Sequence, residues 1–70
     1  MLDKKYKQAL EILNSEIELN RILFLEYLNL AEVINDEKSK IWHINKANEY
    51  NERFKTLSEL KARLYKKIES

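Results

Sequence analysis

The chain has 70 residues, of which 36% are charged and 44% apolar, with a net charge of +1 and no Gly, Pro or Cys. That length allows one domain with a marginal core, and the missing thiols exclude disulfides and cysteine metal sites as supports. The composition is too apolar for disorder, the balanced charge gives no global pull toward nucleic acid or membrane, and the lack of Gly excludes phosphate-cradling loops.

Without Gly or Pro, long helices are nearly the only economical structure. The residues Met1, Leu2, Asp3, Lys4 and Lys5 carry none of the apolar run of a signal peptide, so a cytoplasmic location is expected. A first helix is predicted over about residues 3–34. Its seam alternates steps of four and three through Tyr6, Leu10, Leu13, Ile17, Asn20, Phe24, Tyr27, Ala31 and Ile34. All but Asn20 are apolar or aromatic, the pattern of a coiled coil. Ser15 and Glu18 have the spacing of a capping box, which would break this helix into two. The heptad spacing runs through the site unbroken, from Leu13 to Ile17, so one continuous helix is expected.

The seam does not use all the apolar residues of this first arm. Ile12, Leu19, Leu23, Leu30 and Val33 flank it on one side and Leu28 on the other, while Ile22 and Leu25 point largely away. Residues 22–34 are therefore apolar almost all round, although Glu26, Asn29 and Glu32 make the stretch too short and too polar to span a bilayer.

A turn is predicted over about residues 35–38, at the midpoint of the chain, where the helix-weak pair Asn35 and Asp36 stands. Asn35 is expected as the left-handed C-terminal residue of the first helix, and Asp36 or Ser39 as the N-cap of the second. The second helix is predicted over about residues 39–69, with a seam of His43, Ala47, Tyr50, Phe54, Leu57, Lys61, Leu64 and Ile68. The two seams are out of phase. Continuing the first register past the midpoint lands mostly on polar residues such as Lys38, Asn45, Asn48 and Glu52. A single rod would lose its apolar stripe halfway, so the chain is expected to fold back on itself as a short αα connection allows. Residues whose numbers sum to about 70 or 71 then meet: Tyr6 with Leu64, Leu10 with Leu60, Leu13 with Leu57, Ile17 with Phe54, Asn20 with Tyr50, Phe24 with Ala47, and Tyr27 with His43 or Ile44. The expected fold is all-α, one coiled-coil-like antiparallel hairpin domain over residues 1–70, dimerising into a four-helix bundle that covers the remaining apolar surface.

Catalytic and metal constellations are missing. The single histidine, His43, has Lys40 three residues before it and Ala47 four after, so it completes no Glu-x-x-His site and pairs with no carboxylate at helical spacing. A packed histidine is the simpler reading. Glu11 with Glu18 and Glu49 with Glu52 have helical spacing but no companion ligand. The four serines read as caps or surface. Asn45, Asn48 and Asn51, near Trp42 and Tyr50, read equally as a polar, aromatic surface able to bind RNA or protein and as a solvated face. No enzyme, cofactor or metal is expected.

Two surfaces remain. Ile22, Leu23, Leu25, Leu28, Leu30, Val33 and the lone Trp42 form the candidate protein interface, since exposed apolar patches and tryptophan mark docking sites. The fold also gathers charge at the two termini. Lys4, Lys5, Lys7, Lys61, Arg63, Lys66 and Lys67 stand against Asp3 and Glu69 there, so 7 − 2 = +5, and the remainder sums to −4. Lys66 and Lys67 suit a helix C-terminus, but three lysines at a helix N-terminus oppose the macrodipole. An anionic partner would explain them, and so would a solvated end. The expected function is a small adaptor, inhibitor or regulator that binds itself and another protein; the alternative is a nucleic-acid-binding hairpin that uses the basic pole. The wealth of Lys, Asn and Ile fits an AT-rich genome, such as that of a low-GC bacterium or a mobile element of one.

Overall fold

The computed structural model describes residues 4–69, with side chains through residue 67. Two helices, α1 (Lys4–Val33) and α2 (Glu37–Glu69), lie antiparallel as a hairpin. Its Cα atoms extend 54 × 14 × 12 Å, the length expected of thirty-odd residues at about 1.5 Å each. The first arm is one continuous helix, as its heptad spacing predicts. α1 runs straight through Ser15, whose hydroxyl donates to the Glu11 carbonyl at 3.1 Å instead of capping a new helix.

The turn is tighter than the sequence suggests. Three residues, 34–36, connect the helices, and α2 starts at Glu37 because Asp36 caps it. The Asp36 carboxylate Oδ2 accepts from the Ser39 amide at 2.9 Å, which satisfies an otherwise orphaned donor, and the Asp36 carbonyl takes the Lys40 amide at 2.9 Å as the first bond of the helix. Of the two expected caps, Asp36 is therefore the one used, and Ser39 lies inside the helix. The expectation for Asn35 is corrected: no described residue has a positive φ. The Ile34 amide still bonds back to the Leu30 carbonyl at 3.2 Å, so α1 closes without a left-handed residue.

The seams pack as their spacing predicts. In α1 the buried or half-buried positions include Leu10, Leu13, Ile17, Asn20, Phe24, Tyr27, Ala31 and Ile34; in α2 they include His43, Ala47, Tyr50, Phe54, Leu57, Lys61 and Leu64. Ile68 falls beyond the described side chains. Tyr6, at the open end, is 39% exposed. Leu60, expected to meet Leu10 in the core, is 44% exposed: Lys61 holds the seam position, and Leu60 falls to its flank. Among the described residues only small ones are fully covered in the apolar core, Ala31 at 3% and Ala47 at 0% exposure, because two helices cannot surround a large side chain. The accessible surface is 5669 Å². A compact monomer of this mass would show about 4,700 Å², so the hairpin carries roughly 1,000 Å² of surplus surface.

Around the turn, aromatic packing supplies what aliphatic burial does not. Tyr27 stacks on Tyr50 (centroids 5.5 Å apart, 16° between planes), meets the Trp42 ring edge-on at 6.1 Å, and tilts against His43 at 5.9 Å. Such pairs stabilise by about 0.5–1.5 kcal/mol each beyond area burial. The contact of Tyr27 with His43 is the pairing expected from the fold-back.

Candidate interaction surface

Asn20 is the one buried polar residue among the described residues, at 6% exposure. Its Nδ2 donates to the Glu16 carbonyl of its own helix at 2.8 Å. The fold-back sets Asn20 opposite Tyr50, and the amide bonds within its own helix. A short side chain in a helix reaches the carbonyl four residues back more easily than it reaches across an interface. Tyr50 is committed elsewhere, between the Tyr27 ring and the Arg53 guanidinium 5.2 Å from its centroid. The Asn20 amide still marks the middle of the molecule. It lines a groove of about 570 Å³ with Leu19, Leu23, Tyr50, Arg53 and Leu57, rimmed by Glu16 and Glu52. A second groove of about 420 Å³ opens toward the termini, between Leu13 and Leu60, Arg63, Leu64 and Lys67.

Both grooves lie on the same side of the hairpin. Seven residues are two helical turns, so Leu30 lies above Leu23, Leu60 above Arg53, and Val33 and Trp42 fourteen residues from the groove residues Leu19 and Thr56. This side, the groove face, carries Ile12 (65% exposed), Leu19, Leu23, Leu30, Val33 (74%), Leu60 and Trp42 (50%). The opposite side carries Leu25, Leu28, Ile41 and Ile44 near the turn. The residues expected to form one protein interface are therefore split. Leu23, Leu30, Val33 and Trp42 share the groove face, Leu25 and Leu28 belong to the other, and Ile22, 44% exposed, points outward between them. Heptad counting identifies the flanks but does not reveal the grooves, whose lining includes Arg53 in the first and Leu60 in the second.

Trp42 is held rather than loose. The Lys46 ammonium sits 5.6 Å from its ring centroid and the His43 ring lies 4.9 Å away, edge-on. His43 is half-buried, and its Nδ1 sits 2.7 Å from the Ser39 carbonyl. A carbonyl only accepts, so Nδ1 carries the proton and donates. That fixes the ring as a packing element of the aromatic cluster. No group of three or more His, Asp or Glu among the described residues could hold a metal ion.

The basic residues come together as the antiparallel topology requires. Lys4, Lys5 and Lys7 occupy the first turns of α1, and Lys61, Arg63, Lys66 and Lys67 the last turns of α2, at the same end of the hairpin. All are exposed except Lys61, which is half-buried with its ammonium 5.9 Å from the Tyr65 ring centroid. Three ion pairs each lie within one helix: Glu18 with Arg21, Lys46 with Glu49 and Glu52 with Lys55. The hydrogen bond from Arg21 lowers the Glu18 carboxyl below its ordinary value and raises the guanidinium in return. These exposed pairs support single helices and do not fasten the two together.

No family model, curated protein or solved structure matches the chain. No helix among the described residues is long and apolar enough to cross a membrane.

Proposed function

We propose that the chain is a small, non-enzymatic protein-interaction module of the cytoplasm, a regulator or adaptor that works as a homodimeric four-helix bundle. The supporting observation is the apolar surface left by the hairpin. Ile12, Leu19, Ile22, Leu25, Leu30 and Val33 of α1 are each 42–74% exposed, whereas the fully buried apolar residues among those described are two alanines. Leaving a large apolar side chain in water forfeits about 1.5–3 kcal/mol. Monomers seldom expose such continuous patches without a use, and closed homodimers are the commonest way to cover them. The groove face serves self-association. The smaller patch of Leu25, Leu28, Ile41 and Ile44 remains for a different protein. The test is the dependence of the melting temperature on protein concentration. A dimer melts higher as concentration rises, by mass action. A melting temperature that stays constant, for a species of one chain, would remove the homodimer.

The second reading is a nucleic-acid-binding hairpin, supported by the clustering of Lys4, Lys5, Lys7, Lys61, Arg63, Lys66 and Lys67 at one end. Salt separates the two. Phosphate binding weakens steeply with ionic strength, by a logarithmic slope of about 0.9 per duplex phosphate contact, whereas apolar docking does not. Submicromolar, salt-sensitive binding to duplex or single strand, lost on changing Lys4, Lys5 and Lys7 to Gln, would put nucleic acid first.

A further inference from the structure

We infer that a second copy of the chain docks on the groove face in the antiparallel sense, with the turn of each hairpin at the basic end of the other, so that the exposed half of each Trp42 lies in the partner's second groove beside Arg63 and Lys67. This rests on the self-association reading and adds the face, the orientation and the anchor.

The first support is position. Arg53 marks the middle of α2 (Glu37–Glu69), and the larger groove is centred there, with Leu19 and Leu23 of α1 at the same level. Trp42 stands eleven residues from Arg53 toward the turn, roughly 16 Å along the helix at 1.5 Å per residue. The second groove, over residues 60–67, is centred about as far from Arg53 in the other direction. A twofold axis through the larger groove, perpendicular to the helices, therefore brings each half-exposed indole over the other chain's second groove. That groove has an apolar floor of Leu13, Leu60 and Leu64 and two cationic side chains at its edge, the chemistry that suits an indole face. The same axis sets Leu19 and Leu23 against their own copies. The two Arg53 side chains also approach there, within grooves whose rims carry Glu16 and Glu52 as counter-charges.

The second support is charge. The alternative twofold runs along the hairpin and covers the same face, but it stacks turn on turn and basic end on basic end. Each basic end carries +5 in sequence, and the two would lie about a helix diameter apart, near the screening length of roughly 8–10 Å. The antiparallel arrangement lays each basic end over the turn half instead. There residues 24–47 hold Glu26, Glu32, Asp36 and Glu37 against Lys38, Lys40 and Lys46, a balance of 3 − 4 = −1.

The third support is area. A face 54 Å long and 14 Å across has a footprint of about 750 Å². That is close to the ~800 Å² per partner of a standard stable interface.

The chain has no cysteine, so one introduced at the exposed turn residue, Asn35→Cys, carries a single spin label. Electron–electron distance measurement should find the two labels far apart, near the 54 Å length of the molecule. Labels within roughly 20 Å would overturn the inference while leaving self-association intact. A mass of one chain at every concentration would overturn both. The anchor has its own arm. Arg63→Glu and Trp42→Ala should each weaken the dimer at least tenfold, with Trp42→Phe near wild type in helix content and affinity. Unchanged dimer affinity in both Arg63→Glu and Trp42→Ala would refute the indole contact.

Discussion

Helix α2 satisfies its own ends, and α1 does not. Asp36 caps α2, Glu37 sits in its first turn, and Lys66 and Lys67 lie in its last, each with the sign the macrodipole favours. α1 begins on Lys4, Lys5 and Lys7, with no acid in its first turn and no base in its last. Their outer surfaces differ in the same sense by degree. Between its exposed apolar residues near the turn (Ile41, Trp42, Ile44) and Leu60, α2 turns Asn45, Asn48, Glu52 and Glu59 to water, while α1 exposes Ile12, Leu19, Ile22 and Leu25 along its middle. α2 is a helix specified by its own sequence. α1 is a helix specified by what packs on it, first α2 along the seam and then, on the reading proposed here, a second chain on its outer side. Helices in proteins draw most of their stability from such packing, so the element with the poorer local signals is the one that advertises an interface.

That contrast can be broken most strongly on the outer face. Leu19→Glu should weaken self-association by about 2 kcal/mol or more, roughly 30-fold in Kd, because it puts a charge into an apolar contact made twice in a symmetric dimer. The matched outward change in α2, Asn45→Glu, should stay within about 0.5 kcal/mol. Sedimentation equilibrium of both variants checks the pair, and equal effects would erase the distinction between the helices.

Asn20→Leu should raise stability by about 1 kcal/mol in urea unfolding and loosen the oligomeric state. The Asn20 amide bonds only to a carbonyl of its own helix, so its removal strands no buried donor across the interface. A clear loss of stability would mean that the amide does something in the seam besides satisfy itself.

Asp36→Ala should lower stability by about 1 kcal/mol, the usual cost of losing a side-chain N-cap, with fraying at the start of α2 seen as faster amide exchange at Ser39 and Lys40. At the other helix start the sign reverses. Changing Lys4, Lys5 and Lys7 together to Gln should raise the melting temperature slightly, for about 0.5 kcal/mol, since three cations leave a positive helix terminus. A loss of stability in the triple variant would show that α1 is better matched to its end than its charges suggest.

Much of this was legible in the residues. The seam from Leu10 to Ile34 and its counterpart from His43 to Leu64 could be counted out because helix packing obeys a strict period, and a phase slip between two such seams has few explanations other than a turn. Tyr27 against His43 followed from that alone. Asn35 did not, because a helix can end with an ordinary φ when its last amide finds a carbonyl four residues back. Nor did the partner of Asn20, since an amide two bonds from the backbone has both a local and a cross-helix choice, and spacing cannot decide between them. The split of Leu25 and Leu28 from Leu23, Leu30 and Trp42 was present in the heptad positions. Its meaning needed the grooves, which heptad positions do not reveal.

The central claim is that the groove face is completed by a second copy of the chain. Light-scattering mass across a dilution series tests it most directly. The account predicts a species of twice 8.5 kDa that falls toward a single chain only on dilution. A mass of 8.5 kDa that holds from dilute to concentrated solution, with the helices fully formed, would contradict it.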